Sequence, residues 1–158
     1  MDNLGTNFSI EITGTKGTCP IGEKIGKQNL TNRKIPVLSC EGACIRGEIA
    51  RLAANLVAKE DAYSRGCHGE LFTVPHSAIS EWTLTADKVI VIDGCFLKCH
   101  GRIIENMIGE DRMRNFDALS RYKKYTDLFE IDDVPENKRK ETAQDVANWV
   151  LTSMKGAN

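Results

Sequence analysis

The stretch VIVID, Val89 to Asp93, opens with four consecutive apolar residues and shows no polar alternation. A strand that reads this way is covered on both faces, the pattern of a parallel strand inside a sheet flanked by helices. It runs directly into Gly94, then Cys95 and Cys99, then GRIIENMIG. There Ile103, Ile104, Met107 and Ile108 recur at helical spacing, and Gly109 supplies a stop. The same succession stands upstream. KIPVLS is followed by Cys40 and Cys44, then by a segment with Ile45, Ile49, Leu52 and Leu56 on one stripe and Arg46, Glu48 and Arg51 off it. Strand, Cys-x3-Cys and helix, in that order and twice over, call for crossover connections and hence an open, mainly parallel α/β sheet.

Towards the end, PENKRKETAQDVANWVLTSMKG places Ala143, Val146, Ala147, Val150, Leu151 and Met154 on one face. Pro135 stands at the start of this amphipathic helix and Gly156 at its end. KYTDLFEID, just before it, reads as a further strand. The expectation is a single α/β domain over residues 35–158, with three or four strands in the order 2-1-3-4 and helices on both faces. The strands ending near Cys40 and Cys95 should be neighbours. A chain of 158 residues suffices for one well-cored domain. Residues 1–34, with glycines at 5, 14, 17, 22 and 26, read as a hairpin or irregular extension.

Charge excludes some functions. With 21 basic and 22 acidic residues the net charge is −1, so no global field draws the chain to nucleic acid or an anionic membrane. RYKKY (Arg121 to Tyr125) accordingly reads as a solvated face. The apolar runs fall far short of the ~20 residues a spanning helix needs. MDNLGTNFSIEITG has neither a basic start nor an apolar signal core, so a soluble cytoplasmic protein is expected. In that reducing compartment, six cysteines (19, 40, 44, 67, 95 and 99) point to metal binding or catalysis rather than to disulfides. Trp149, off the apolar stripe of the last helix, is where a protein partner or second copy would be sought.

In an α/β sheet, residues at strand-to-helix turns lie on the carboxyl edge, where such folds place their sites. Cys40 and Cys95 fall at these turns. Cys44 and Cys99 should follow one helical turn later, each facing its partner with Cβ atoms roughly 5–6 Å apart. Helix N-termini stabilise thiolates, and Arg46, Lys98 and Arg102 add nearby positive charge. Four thiolates together require a cation, and zinc takes four sulfurs tetrahedrally at ~2.3 Å. The plain alternative is that these cysteines are small buried hydrophobes. The duplicated context weighs against it.

Asp93-Gly94-Cys95 followed by Cys99, with VIVI before it, resembles the DGC-domain family, which is named for that tripeptide. SCEGAC with Cys40 and Cys44, the lone Cys67 in GCHGE, and the order of segments through TDLFEIDDVPENKRK to the last helix are similar to its layout. The likeness runs over roughly residues 35 to 153. It implies a small α/β domain with four cysteines able to chelate zinc, mapping here onto Cys40, Cys44, Cys95 and Cys99. It implies no activity, since the family is defined by its motif. His68 follows Cys67 where a small apolar residue is expected, so either of the two is a further candidate for the site. Cys19 lies outside the likeness.

Other chemistries compete. Cys40 to Arg46 satisfies Cys-x5-Arg, the loop of cysteine phosphatases and some arsenate reductases, in which a low-pKa thiolate attacks an oxyanion cradled by backbone N–H groups and the arginine. Glu41 and Gly47 depart from that pattern, and Asp93 is the one general-acid candidate at the same edge. Alternatively, the pairs cycle between dithiol and disulfide or carry sulfur, with Cys67 as a resolving thiol. Four thiolates also allow an iron–sulfur cluster, though the spacings match neither diagnostic pattern. His68 and His100 each adjoin a cysteine and are candidates to support or replace a ligand. His76, after Pro75, reads as a cap or surface residue. Asp93 is expected to satisfy backbone N–H groups at its turn and Gly94 to permit its geometry.

Overall fold

Val89–Asp93 is buried at every position and forms a strand, β3, inside the sheet. The computed structural model that shows this describes residues 7–123 and 129–156. On one side β3 pairs with Ile35–Ser39 (β1), which in turn pairs with the short Tyr63–Arg65 (β2). On the other it pairs with Met113–Asp117 (β4). The four-stranded sheet is parallel throughout and ordered β2-β1-β3-β4, the order and the β1–β3 adjacency expected from the sequence.

Successive strand residues point to opposite faces, and the core divides accordingly. Val37, Ile90 and Ile92 pack under Ile45–Val57 (α2) and Glu136–Lys155 (α7), meeting Ile45, Ile49, Ala53, Val57, Val146 and Val150. Leu38, Val89 and Val91 face the other way. They meet Leu71 of His68–Thr73 (α3) and Ile104 and Ile108 of Cys99–Ile108 (α5). Each fully buried aliphatic side chain contributes about 1.5–3 kcal/mol, so the two clusters hold the strands from both sides. Ala78–Thr85 (α4) and the single turn Leu119–Tyr122 (α6) complete the helices beyond residue 34.

Residues 20–31 differ from the expected hairpin or irregular extension. Pro20–Thr31 is a helix (α1), with Pro20 at its first position and Cys19 as N-cap; the Gly22 N–H lies 3.5 Å from Cys19 Sγ. Glycines 22 and 26 suggested irregular chain, but they serve close approach. A Cβ on Gly26 would overlap the Ala78 backbone, and one on Gly22 would overlap the Glu70 carboxyl. α1 lies against α4, and Glu23 Oε1 accepts the Ala78 N–H at 2.8 Å, capping α4 from outside.

The expected strand KYTDLFEID falls largely on residues 124–128, outside the described residues; Ile131–Asp133 forms a 3-10 turn. The fourth strand is β4, whose sequence MRNFD lacks an apolar run because all five residues are only half-buried at the sheet edge. In α5, Ile104 and Ile108 are buried but Ile103 and Met107 are 48% and 37% exposed, because the packed stripe is one residue wide. Trp149 is half-buried, edge-on to Phe116 at 5.0 Å between ring centres, with the Arg121 guanidinium 4.9 Å over its ring. No helix among the described residues is long and apolar enough to cross a membrane.

Candidate functional site

After β1 the chain turns into α2, on the α7 face; after β3 it turns into α5, on the opposite face. Adjacent parallel strands whose connections diverge leave a crevice at their carboxyl ends, and α/β sheets bind ligands in such crevices. Cys40 follows β1 directly and its N–H extends the ladder, donating to Ile92 O at 2.8 Å. Cys95 follows β3 by two residues. Cys67 follows β2 by two residues and is the N-cap of α3. Three neighbouring strand ends, in the order β2, β1, β3, therefore each deliver a thiol to the same edge.

The second cysteine of each pair ends the loop. Cys44 is the extended N-cap of α2, and Cys99 is the first residue of α5 after Lys98, which has φ +48°. The pairs consequently bridge non-helical loops, 41–44 and 94–98, instead of lying along one helical turn as the i, i+4 spacing suggested. Close packing explains the non-helical path. A Cβ on Gly47 would overlap the Gly42 carbonyl, and one on Gly94 would lie 3.0 Å from Gly47 N. The loop after β1, the first turn of α2 and the start of the loop after β3 thus stack through glycines 42, 47 and 94. Gly94 is required by this approach and not by a positive φ.

Side chains brace the edge. Asp93 is 1% exposed; Oδ1 accepts the Gly101 N–H at 3.3 Å and Oδ2 accepts from Asn115 Nδ2 at 2.7 Å. It fastens the first turn of α5 to β3 and β4, satisfying backbone as expected, and both of its oxygens are engaged. Arg65 donates to Val37 O at 2.9 Å and to Ser39 Oγ at 3.1 Å, and it pairs with Glu41 at 3.3 Å. Burial lowers its pKa and Glu41 works against that. Neither Arg65 nor Asn115 stood out in the sequence. Arg65 ends a three-residue strand, and Asn115 lies in a strand without an apolar run.

All six cysteines are free thiols. Cys40 is buried, Cys44 and Cys95 are half-buried, and Cys19, Cys67 and Cys99 are exposed. The Gly42 N–H donates to Cys40 Sγ at 3.2 Å. Arg46, the second residue of α2, is half-buried. His76 is exposed in a turn, whereas His68 and His100 are in ring contact, 4.9 Å between centres and nearly edge-on. Burial above all, then His100 and Arg65, holds the His68 pKa down at about 3. Among the described residues, no three histidine, cysteine, aspartate or glutamate side chains stand close enough as placed to hold a metal ion together.

The fold and edge define a class: an open parallel α/β domain that carries reduced thiols at its switch point. Within that class the chain belongs to the DGC-domain family, whose model matches residues 36–145. No curated protein and no solved structure matches the chain.

Proposed function

We propose that this is a zinc-binding protein in which Cys40, Cys44, Cys95 and Cys99 hold one ion at the β1–β3 switch point. The carrying observation is that two cysteine-bearing loops leave adjacent parallel strands and that both pack against Gly47 in the first turn of α2, one through Gly42 and the other through Gly94. The donor set suits the ion, since four thiolates favour a soft-to-borderline metal. The helix N-termini at Cys44 and Cys99 offset part of the first-shell charge of about −2. Loops 41–44 and 94–98 carry no regular structure, so the sulfurs can draw in to the ~2.3 Å bonds zinc requires. Cys67, at the third strand end, is the additional thiol within reach of this edge. Thiol-borne metal binding of this kind suits a reducing compartment such as the cytoplasm. With a net charge of −1, the partner proposed is the metal ion and not nucleic acid or membrane.

Metal analysis of untagged protein purified under reducing conditions, paired with thiol titration, tests the reading. About one zinc per chain is expected, with Cys40, Cys44, Cys95 and Cys99 shielded until a chelator is added. Metal-free protein with all thiols reactive, and no zinc uptake on addition, would sink it.

A second reading has one observation in its favour. The Gly42 N–H on Cys40 Sγ is the kind of contact that stabilises a nucleophilic thiolate in a Cys-x5-Arg loop, with Arg46 as the anion-binding group. Against it, both Asp93 oxygens are engaged. On this reading Cys40→Ser abolishes phosphate-ester or arsenate turnover; turnover that survives the substitution excludes it.

A further inference from the structure

One tripeptide occurs twice and the four-cysteine reading uses only half of it. Cys67-His68-Gly69 opens α3 and Cys99-His100-Gly101 opens α5. Both helices cover the same face of the sheet, and the fold brings the two imidazoles into contact at 4.9 Å between ring centres. His68 Nε2 and His100 Nδ1 are each shielded from solvent and have no hydrogen-bond partner. A ring nitrogen withdrawn from water without a partner carries a desolvation cost that a bound ligand would relieve. Here two such nitrogens lie on rings in direct contact.

A separation of 4.9 Å between ring centres is one that two ligands on one ion can have. Imidazoles bound to a single tetrahedral zinc at ~2.0–2.1 Å per bond have ring centres about 5 Å apart. The third donor is at hand: Cys67 is exposed and its side chain makes no capping hydrogen bond, so its thiol is free to turn towards the rings. We infer that His68 Nε2 and His100 Nδ1 are a preformed half-site for a borderline divalent ion such as zinc. Cys67 closes onto the arriving metal as third ligand, and a fourth position is left to solvent or an exchangeable ligand. The site goes beyond the four-cysteine reading and uses none of its sulfurs. Neutral imidazole is the form that binds metal. Three protein donors and one open position describe a catalytic or transfer site; four closed sulfurs describe a structural one.

Zinc titration of the reduced apoprotein, followed through the ring nitrogen-15 resonances of its three histidines, tests this directly. His68 Nε2 and His100 Nδ1 should both move to metal-bound positions and Cys67 should become resistant to alkylation. The exposed His76 should stay unchanged. The same shifts should persist in a Cys44→Ser/Cys95→Ser variant, which removes one sulfur from each Cys-x3-Cys pair. Zinc taken up with both rings unmoved overturns the inference and leaves the four-cysteine reading standing. Ring shifts that vanish in the variant overturn the independence of the site. No zinc uptake by the wild-type protein overturns both readings, and the wild-type result stands on its own should the variant fail to fold.

Discussion

His68 shows how one residue acquires a chemical state from its surroundings. An ordinary imidazole titrates at 6.5, but burial, His100 and Arg65 hold this one at about 3. A base whose folded pKa is depressed takes up protons first in the unfolded chain. The His68 contribution is therefore unchanged well above pH 6.5 and lowers stability as the pH drops from there towards 3. For the metal-free protein the loss by about pH 4.5 is at most ~2–3 kcal/mol, since each pKa unit corresponds to about 1.4 kcal/mol. Urea midpoints at about pH 7.5 and 4.5 should differ more in the wild type than in His68→Gln. Equal pH slopes in the two would mean that His68 is not held neutral by the fold. Glycine acts in the opposite way, through what it lacks. The missing Cβ atoms of Gly47 and Gly94 let both cysteine loops close against the first turn of α2, and this approach, not the backbone freedom of glycine, makes them necessary.

Between elements, Asp93 is the fastening that decides where α5 begins. Its carboxyl joins β3, where it resides, to β4 through Asn115 and to the first turn of α5 through Gly101. Gly101 must be glycine because a Cβ there would overlap that carboxyl. Asp93→Ala leaves a buried N–H and an amide without acceptors and should cost about 2–4 kcal/mol in urea unfolding. Asp93→Asn keeps one acceptor oxygen and should cost less. If the two substitutions cost the same, the hydrogen bonds to Gly101 and Asn115 do not anchor α5. The same fastening sets the position of Cys99 relative to Cys95, so a loosened α5 should also raise the reactivity of these two thiols.

For the molecule as a whole, the strand-end cysteines lie at one end of the sheet. Thiols from β2, β1 and β3 gather at the carboxyl edge, while α2 with α7 and α3 with α5 hold the strands from either face. A ligand that ties loops from different strands binds the folded state and not the unfolded chain, so it should stabilise the fold. If zinc binds as proposed, a hundredfold excess over its dissociation constant adds about 2.7 kcal/mol. For a chain of this length that corresponds to a rise in Tm of roughly 5–10 °C. A chelator should reverse it. A Tm indifferent to zinc would mean that the ion does not distinguish folded from unfolded chain.

Much of the architecture was legible in the residues because it rests on local pattern. Four unbroken apolar residues at Val89–Ile92 require cover on both faces, which makes the strand parallel and its connections helical. The 3.6-residue spacing of Ile45, Ile49 and the α7 stripe is readable for the same reason, and with it the placing of Cys40 and Cys95 at the carboxyl edge. What only the tertiary structure decided concerns residues whose role depends on something distant in the chain. Gly22 and Gly26 look like breaks until Glu70 and Ala78 come up against them. Edge strand β4 has no apolar run to announce it, because it is half-buried. The cysteine pairs span loops because Gly42, Gly47 and Gly94 stack there, which overrides the helical geometry implied by four-residue spacing. The meeting of His68 and His100, thirty-two positions apart in sequence, exists only because α3 and α5 share one face of the sheet. Periodicity is a property of neighbouring residues and survives in one dimension, whereas contact across the fold has no local signature.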